Sequence, residues 1–460
     1  MPSPQTEERT PGKKVAVALS GGGNRACLFA LGALLYLVDA GKGPDLSSVA
    51  SVSGGSLANG AVAQDLDLTS AGPGDLDKTA ARVTRRVVNR GTVFGAPLAV
   101  AYVALVALAA LAAVVAPWFV PVATWLQISI CLAALLLVAW LASFRTKACA
   151  AAFDRTLFRP TGSSTPLTAV HGGLDHVFCA TDLHAGEHVY FSRDFVCSYR
   201  FGTGSPGDIK LSEVVQASAA FPGAFPPAWL PTKRHEFTHG AEVDAAKTRK
   251  MSLVDGGVYD NMADQWAQGL EARAKRPRPS GEPYRQAEEM VVVNSSAGLG
   301  WDKLRGLRLP AIGELLSLLR DKAVLYDNGN SLRRQALFTR FELAEKTGKG
   351  MRGALVHIPQ SPFKVPRAFE NAAGERGERA KAVLAALASE GAKAEERWAR
   401  DTADNAGEPT TLLSCDPTVA ARLLHHGYLL AMANLHVILA YPLLELPSRA
   451  RFEALAQGKP

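Results

Sequence analysis

The chain of 460 residues is 48% apolar, 20% charged and 7% aromatic, a mixture that buries a core and excludes a globally disordered protein. Its six cysteines, none in a C-x-x-C pair, exclude a disulfide framework and a zinc ribbon. A net charge of +7, from 50 Lys and Arg against 43 Asp and Glu, suits an anionic membrane surface as readily as nucleic acid, so the placement of the charges must decide.

Residues 1–14 are polar, with Pro2, Pro4 and Pro11, and lack the apolar stretch of a secretory signal; they read as a disordered tail. An apolar run at 15–19 predicts a first strand, ended by Ser20 and three glycines, with a helix over 26–37. A second strand is expected at 49–52 and a helix around 57–63, then strands at 177–180, 252–254, 290–293 and 354–358. Such alternation argues for an α/β layer architecture. Residues 273–283 form a polar, Pro-rich loop, 378–400 a solvated surface helix of mixed charge, and 417–435 an apolar helix against the core.

One stretch departs from this composition. Between Gly91 and Phe144 there is no Asp, Glu, Lys, Arg or His, and Pro97, Pro117 and Pro121 divide the stretch into apolar runs at 98–116 and 122–144. A helix of about 20 residues crosses a hydrocarbon core of ~30 Å, and each run is about that long. Pro117-Trp118-Phe119-Val120-Pro121 would connect them. Arg82, Arg85, Arg86 and Arg90 precede the runs, and Arg145, Lys147, Arg155 and Arg159 follow, which places both outer ends on the cytoplasmic face. The reading is a membrane-spanning hairpin inserted in a soluble domain that stays on that face. The competing readings are a buried helical pair in a soluble core, or a hairpin lying in one leaflet. The small residues of the first run would permit packing between hairpins of a homo-oligomer.

Three motifs carry chemistry. Ser20-Gly21-Gly22-Gly23-Asn24-Arg25 lies between a strand and a helix, where unshielded backbone amides can hold an anion or a developing oxyanion. The same glycines satisfy a dinucleotide-binding pattern, but the second strand closes on Ser51-Val52-Ser53 rather than on the acidic residue such a site requires. Ser51-Val52-Ser53-Gly54-Gly55-Ser56 has small residues on either side of Ser53, as a sharp turn exposing a nucleophilic hydroxyl demands. Val254-Asp255-Gly256-Gly257 sets a carboxylate at a strand end before a close backbone turn, where it could serve as a general base without a histidine relay.

In this order the three motifs resemble those of the patatin-like phospholipases. Ala180-Thr181-Asp182-Leu183 with Glu187-His188-Val189-Tyr190-Phe191-Ser192 resembles the family's strand pair, and Ala217-Ser218-Ala219-Ala220-Phe221-Pro222 with Phe225-Pro226-Pro227 its Ser-x-Ala…Pro segment. The resemblance runs from Lys13 to Gly298, apart from the hairpin, and departs from the family at Ser51, where a glycine is usual. It implies a patatin-like three-layer α/β/α sandwich with an inserted two-helix membrane hairpin and a helical C-terminal region. The expected division is 1–14 tail, 15–90 and 145–300 catalytic domain, 91–144 hairpin, and 301–460 mainly helical extension.

The resemblance also implies a Ser53–Asp255 dyad forming an acyl-serine intermediate, with Gly21, Gly22, Gly23 and Gly54 as the oxyanion hole. Arg25, Gly55, Gly256 and Gly257 support it, Arg25 by steadying the glycine loop rather than by meeting a lipid phosphate. The expected partners are a phospholipid or lysophospholipid substrate and the bilayer, with no nucleic acid, cofactor or metal. Phospholipase A or lysophospholipase activity is the leading reading. A transacylase and a catalytically silent membrane scaffold are the alternatives, and His171 or His176 as a third member of a triad is a minor one.

Overall fold

The computed structural model describes residues 12–115, 123–159, 162–242, 247–300 and 312–460. The expected tail up to residue 11 and the expected connection at 117–121 lie outside them. In chain order the elements are β1 (Val15–Leu19), α1 (Gly23–Asp39), β2 (Leu46–Ser51), α2 (Gly54–Asp65), α3 (Asp77–Arg90), α4 (Pro97–Val115), α5 (Thr124–Ala142) and α6 (Arg145–Thr156). There follow β3 (Asp175–Asp182), β4 (Glu187–Phe191), β5 (Val196–Ser198), β6 (Gly202–Gly204), α7 (Leu211–Ser218), β7 (Ala228–Pro231), β8 (Thr238–His239) and β9 (Lys250–Asp255). The short helices α8 (Gly257–Asp260), α9 (Gln265–Gln268) and α10 (Leu270–Arg273) precede β10 (Glu289–Asn294). The chain closes with α11 (Ile312–Thr347), β11 (Arg352–His357), α12 (Lys364–Phe369), α13 (Glu375–Ala388), α14 (Ala394–Gly407), α15 (Pro417–Leu439) and α16 (Arg449–Ala456).

The strands form one mixed sheet in the order β11-β10-β1-β2-β3-β4-β5-β6-β8, with β9 paired to β3 and β7. From β11 to β3 neighbouring strands run parallel; from β3 onward they are antiparallel. Val17 of β1 lies between Val291 of β10 and Val49 of β2. Side chains alternate across a strand, so β1 serves two cores. Val15, Val17 and Leu19 pack with α1, α2 and α15, whereas Ala16 and Ala18 pack with Met262, Trp266, Leu337 and Phe341 on the opposite face. Burial on both faces is what a parallel sheet requires, and it makes the expected α/β/α sandwich.

The C-terminal third takes part in this sandwich. β11 extends the parallel half beside β10. α15 lies on α1 so closely that a side chain at Gly32 would strike the Leu424 carbonyl, and one at Gly427 the Phe29 carbonyl. The single surface helix expected over 378–400 is instead two helices, α13 and α14, interrupted at Gly391 with φ 110°. They are less solvated than expected, because Val383, Leu387 and Trp398 are buried.

The two apolar runs form α4 and α5, each 19 residues long and apolar enough to cross a membrane. The buried-pair reading fails, since none of the α5 residues is buried and Leu108 of α4 is 64% exposed. Tyr102 Oη donates to the Leu141 carbonyl at 2.7 Å, joining the two helices where they leave the domain. Thr92, inside the insertion expected at 91–144, belongs to the domain. Its amide donates to Leu412 O at 3.1 Å and its carbonyl accepts the Thr156 hydroxyl at 2.8 Å.

Candidate active site

The first two motifs follow β1 and β2, adjacent strands whose carboxyl ends open side by side. Ser53 occupies the turn between β2 and α2 with φ 51° and ψ −116°, a strained backbone for a residue with a Cβ. The surroundings fix it there. Its amide donates to Ser218 O at 3.2 Å and Ser218 Oγ at 3.1 Å. Side chains at Gly54 and Gly55 would collide with the backbones of Gly23 and Leu19, so the turn tolerates only glycine there. Ser51 is accommodated by a buried network: its hydroxyl donates to Val177 O at 3.1 Å and accepts from Ser56 Oγ at 3.0 Å and Asn59 Nδ2 at 2.9 Å.

In the glycine loop Gly22 (φ 143°) and Gly23 (φ 61°) adopt backbone conformations that favour glycine. The Gly21 amide donates to Asn261 O at 3.0 Å, so Gly21 is corrected from oxyanion donor to a residue of close approach, its Cα lying against Asn261 and Ser53. The amides of Gly22, Gly23 and Gly54 have no hydrogen-bond acceptor among the described residues.

Asp255 ends β9, paired with Ala180 of β3. Its amide donates to Ala220 O at 2.9 Å, and its Oδ1 accepts the Gly257 amide at 2.8 Å. A side chain at Gly256 would strike the Cys179 carbonyl, and one at Gly257 would meet Asn261, Asp255 and the Tyr326 hydroxyl. Asp255 is 5% exposed. Burial pushes its carboxyl up to about 6, against the Gly257 amide, a hydrogen bond with the Ser53 side chain and the charge of Lys322, which all pull it down. A carboxylate poised near 6 is ionised at neutral pH yet basic enough to accept a proton.

No histidine lines the cavity around Ser53 among the described residues. His176 is buried with Nδ1 2.7 Å from Asn59 Oδ1, and burial lowers it to about 3. His188 stands behind the aspartate turn, with Nε2 3.0 Å from Gly256 O. Asp182 and Asp260 accept backbone amides, those of Ser252 at 2.8 Å and Met262 at 2.9 Å, and neither lines the cavity.

Ser53, Asp255, Gly22 and Gly23 line one cavity of about 630 Å³. Three distant segments complete its walls, and none carries a motif that announces it. The helix α11 brings Tyr326 to the wall. Lys322 of α11 donates to Pro222 O at 2.9 Å, and Arg333 pairs with Asp260 at 3.1 Å and Asp264 at 3.4 Å. The Arg333 charge holds Asp260 low, while burial and the neighbouring Asp260 push Asp264 up.

The second segment is the loop after α14. Thr411 O accepts the Asn24 amide at 2.8 Å, Leu413 O accepts Asn24 Nδ2 at 2.7 Å, and Glu408 O accepts Arg25 Nη1 at 2.5 Å. Arg25 thus ties the glycine loop to the C-terminal third. The third segment is the root of the hairpin, with Ala99, Tyr102 and Val103 from α4 and Arg145 and Cys149 from α6.

Among solved structures, human GIVD cytosolic phospholipase A2 is similar at 14% identity and a TM-score of 0.39, over 62% of this chain and 43% of its own. This chain therefore spans less than half of that protein's length. VipD from Legionella pneumophila is similar at 14% identity and a TM-score of 0.25, over 98% of this chain and 91% of its own. Comparison with curated protein sequences finds no match. Residues 17–263, more than half of the chain, match the family described as patatin-like phospholipase. With the glycine turn, the serine turn and the aspartate turn all inside that span, the chain belongs to the patatin-like phospholipase family.

Proposed function

We propose that this protein hydrolyses acyl esters of phospholipids or lysophospholipids at a membrane surface, through a Ser53–Asp255 dyad. Ser53 Oγ attacks the ester carbonyl as Asp255 accepts its proton. The tetrahedral oxyanion is received by the free amides of Gly22 and Gly23, with Gly54 as a further donor. Asp255 returns the proton to the leaving alcohol, and water activated by the same carboxylate releases the fatty acid from acyl-Ser53. The observation that carries this reading is the single cavity lined by Ser53, Asp255, Gly22 and Gly23, with no histidine among the described residues around it. In this reading a catalytic unit built from 15–90 and 145–300 carries α4 and α5 as a spanning hairpin. The basic residues at both outer ends keep the site on the cytoplasmic side.

The test is fatty-acid release from labelled phospholipid and lysophospholipid vesicles by the wild type, Ser53→Ala and Asp255→Asn. Release by the wild type alone, with fluorophosphonate labelling lost in Ser53→Ala, is the expected result. Equal release by all three would refute the dyad.

A further inference from the structure

We propose that Arg145 receives the phosphate of the lipid whose ester reaches Ser53, so that the site selects phosphate-bearing lipids over neutral glycerides. The proposal rests on the lipid acyl hydrolase reading above.

Two arginines line the cavity, Arg25 and Arg145. Arg25 is 9% exposed, and its Nη1 donates to Ala406 O at 3.3 Å and Glu408 O at 2.5 Å while its Nη2 donates to Thr410 Oγ1 at 3.4 Å. These bonds hold it against residues 406–410 as a structural tie, away from the root of the hairpin. Arg145 differs. Its Nε donates to Ala224 O at 3.1 Å, which orients the planar fork, and it forms no ion pair among the described residues. The terminal nitrogens of a fork fixed in this way can take two oxygens of a phosphate at once.

The position suits a headgroup. Arg145 opens α6, directly after the apolar α5 ends at Ala142, so it stands where a spanning helix would meet the polar layer. Ala99, Tyr102 and Val103 of α4 line the same cavity and offer one helical turn of wall, about 5 Å, to the first methylenes of an acyl chain. Asp255 is the one carboxylate lining the cavity among the described residues, so an anion beside Arg145 meets no cluster of acids. A lipid lying with its chain on α4 and its phosphate on Arg145 presents the ester between them, toward Ser53.

The test compares the full chain in detergent micelles on oleoyl-lysophosphatidylcholine and monooleoylglycerol, which share the acyl ester and differ in the phosphate. Arg145→Ala is expected to raise KM for the lysophospholipid by about 10- to 100-fold, the span of a charge-assisted hydrogen bond, with kcat little changed. Turnover of the glyceride should stay within about twofold, which also reports that the variant folds. Arg145→Lys, a point charge without the fork, should recover part of the loss. Equal loss on both substrates, or no loss on either, would overturn the assignment. Ser53→Ala separates the two levels: if it releases as much fatty acid as the wild type, the hydrolase reading itself falls, whatever the Arg145 ratio.

Discussion

The amide of Ser53 is held twice by Ser218, through the carbonyl at 3.2 Å and the hydroxyl at 3.1 Å. The same carbonyl accepts the Gly256 amide at 3.2 Å, and the hydroxyl also reaches Cys179 O at 2.7 Å. One residue at the end of α7 therefore sets the spacing between the serine turn and the aspartate turn. Ser218→Ala should cost about 1–3 kcal/mol by leaving buried polar atoms unpaired. It should also lower kcat more than KM, because the dyad geometry loosens while the cavity stays. Thermal unfolding together with steady-state kinetics checks both.

Strain at Ser53 gives a second expectation. The left-handed φ of 51° costs a residue with a Cβ but not glycine. Ser53→Ala and Ser53→Gly should both be inactive, and the glycine variant should be the more stable by about 1 kcal/mol. Equal melting temperatures would mean that the turn carries no strain.

The pH dependence follows from Asp255. In the proposed dyad its carboxylate is the general base and works only when ionised, so kcat/KM should rise as pH increases through about 6 and level off above it. Lys322 lowers the carboxyl's pKa; removing that charge in Lys322→Met should move the rising limb to higher pH. A limb that stays in place would separate Lys322 from the base.

Stability should run the other way. A carboxyl raised from 3.8 to about 6 by burial favours its protonated form in the folded state. The fold is therefore destabilised above about pH 6 and gains stability as pH falls toward 4. The roughly two-unit shift corresponds to ~3 kcal/mol as an upper bound. Asp255→Asn should raise the melting temperature at neutral pH, with the gain shrinking in acid. Differential scanning calorimetry across this range would expose a gain that ignores pH.

The hairpin can be removed at its own closure. Tyr102 and Leu141 are already bonded, so excision of residues 103–140 with a short polar linker should give protein that stays in solution without detergent. An excision beginning at Thr92 would instead break the bonds to Leu412 and Thr156. Fluorophosphonate labelling of Ser53 should survive the first deletion and be lost in the second.

The parts of this fold legible in the sequence are those written locally. The run at β1 ends in glycines that only a tight turn uses, and Ser53 and Asp255 each sit among small residues that a backbone collision explains. Ser218 was visible as a segment but not as a tie, since its partners lie on β3, the serine turn and the aspartate turn. Lys322 and Tyr326 belong to a helix whose sequence has no signal for what it covers, and Thr411 acts through its backbone carbonyl, which any residue would supply. The split of α13 from α14 could have been read at Gly391, but Ala-rich helical sequence on both sides hid it.

The bonds from Asn24 and Arg25 to residues 406–413 set an order of events during synthesis. A growing chain emits its serine turn and its hairpin hundreds of residues before the loop that braces the glycine turn. Until residues 406–413 emerge, Asn24 and Arg25 lack the carbonyls that hold the glycine loop in place. In the proposed reading, a chain truncated before residue 406 should therefore lack acyl hydrolase activity.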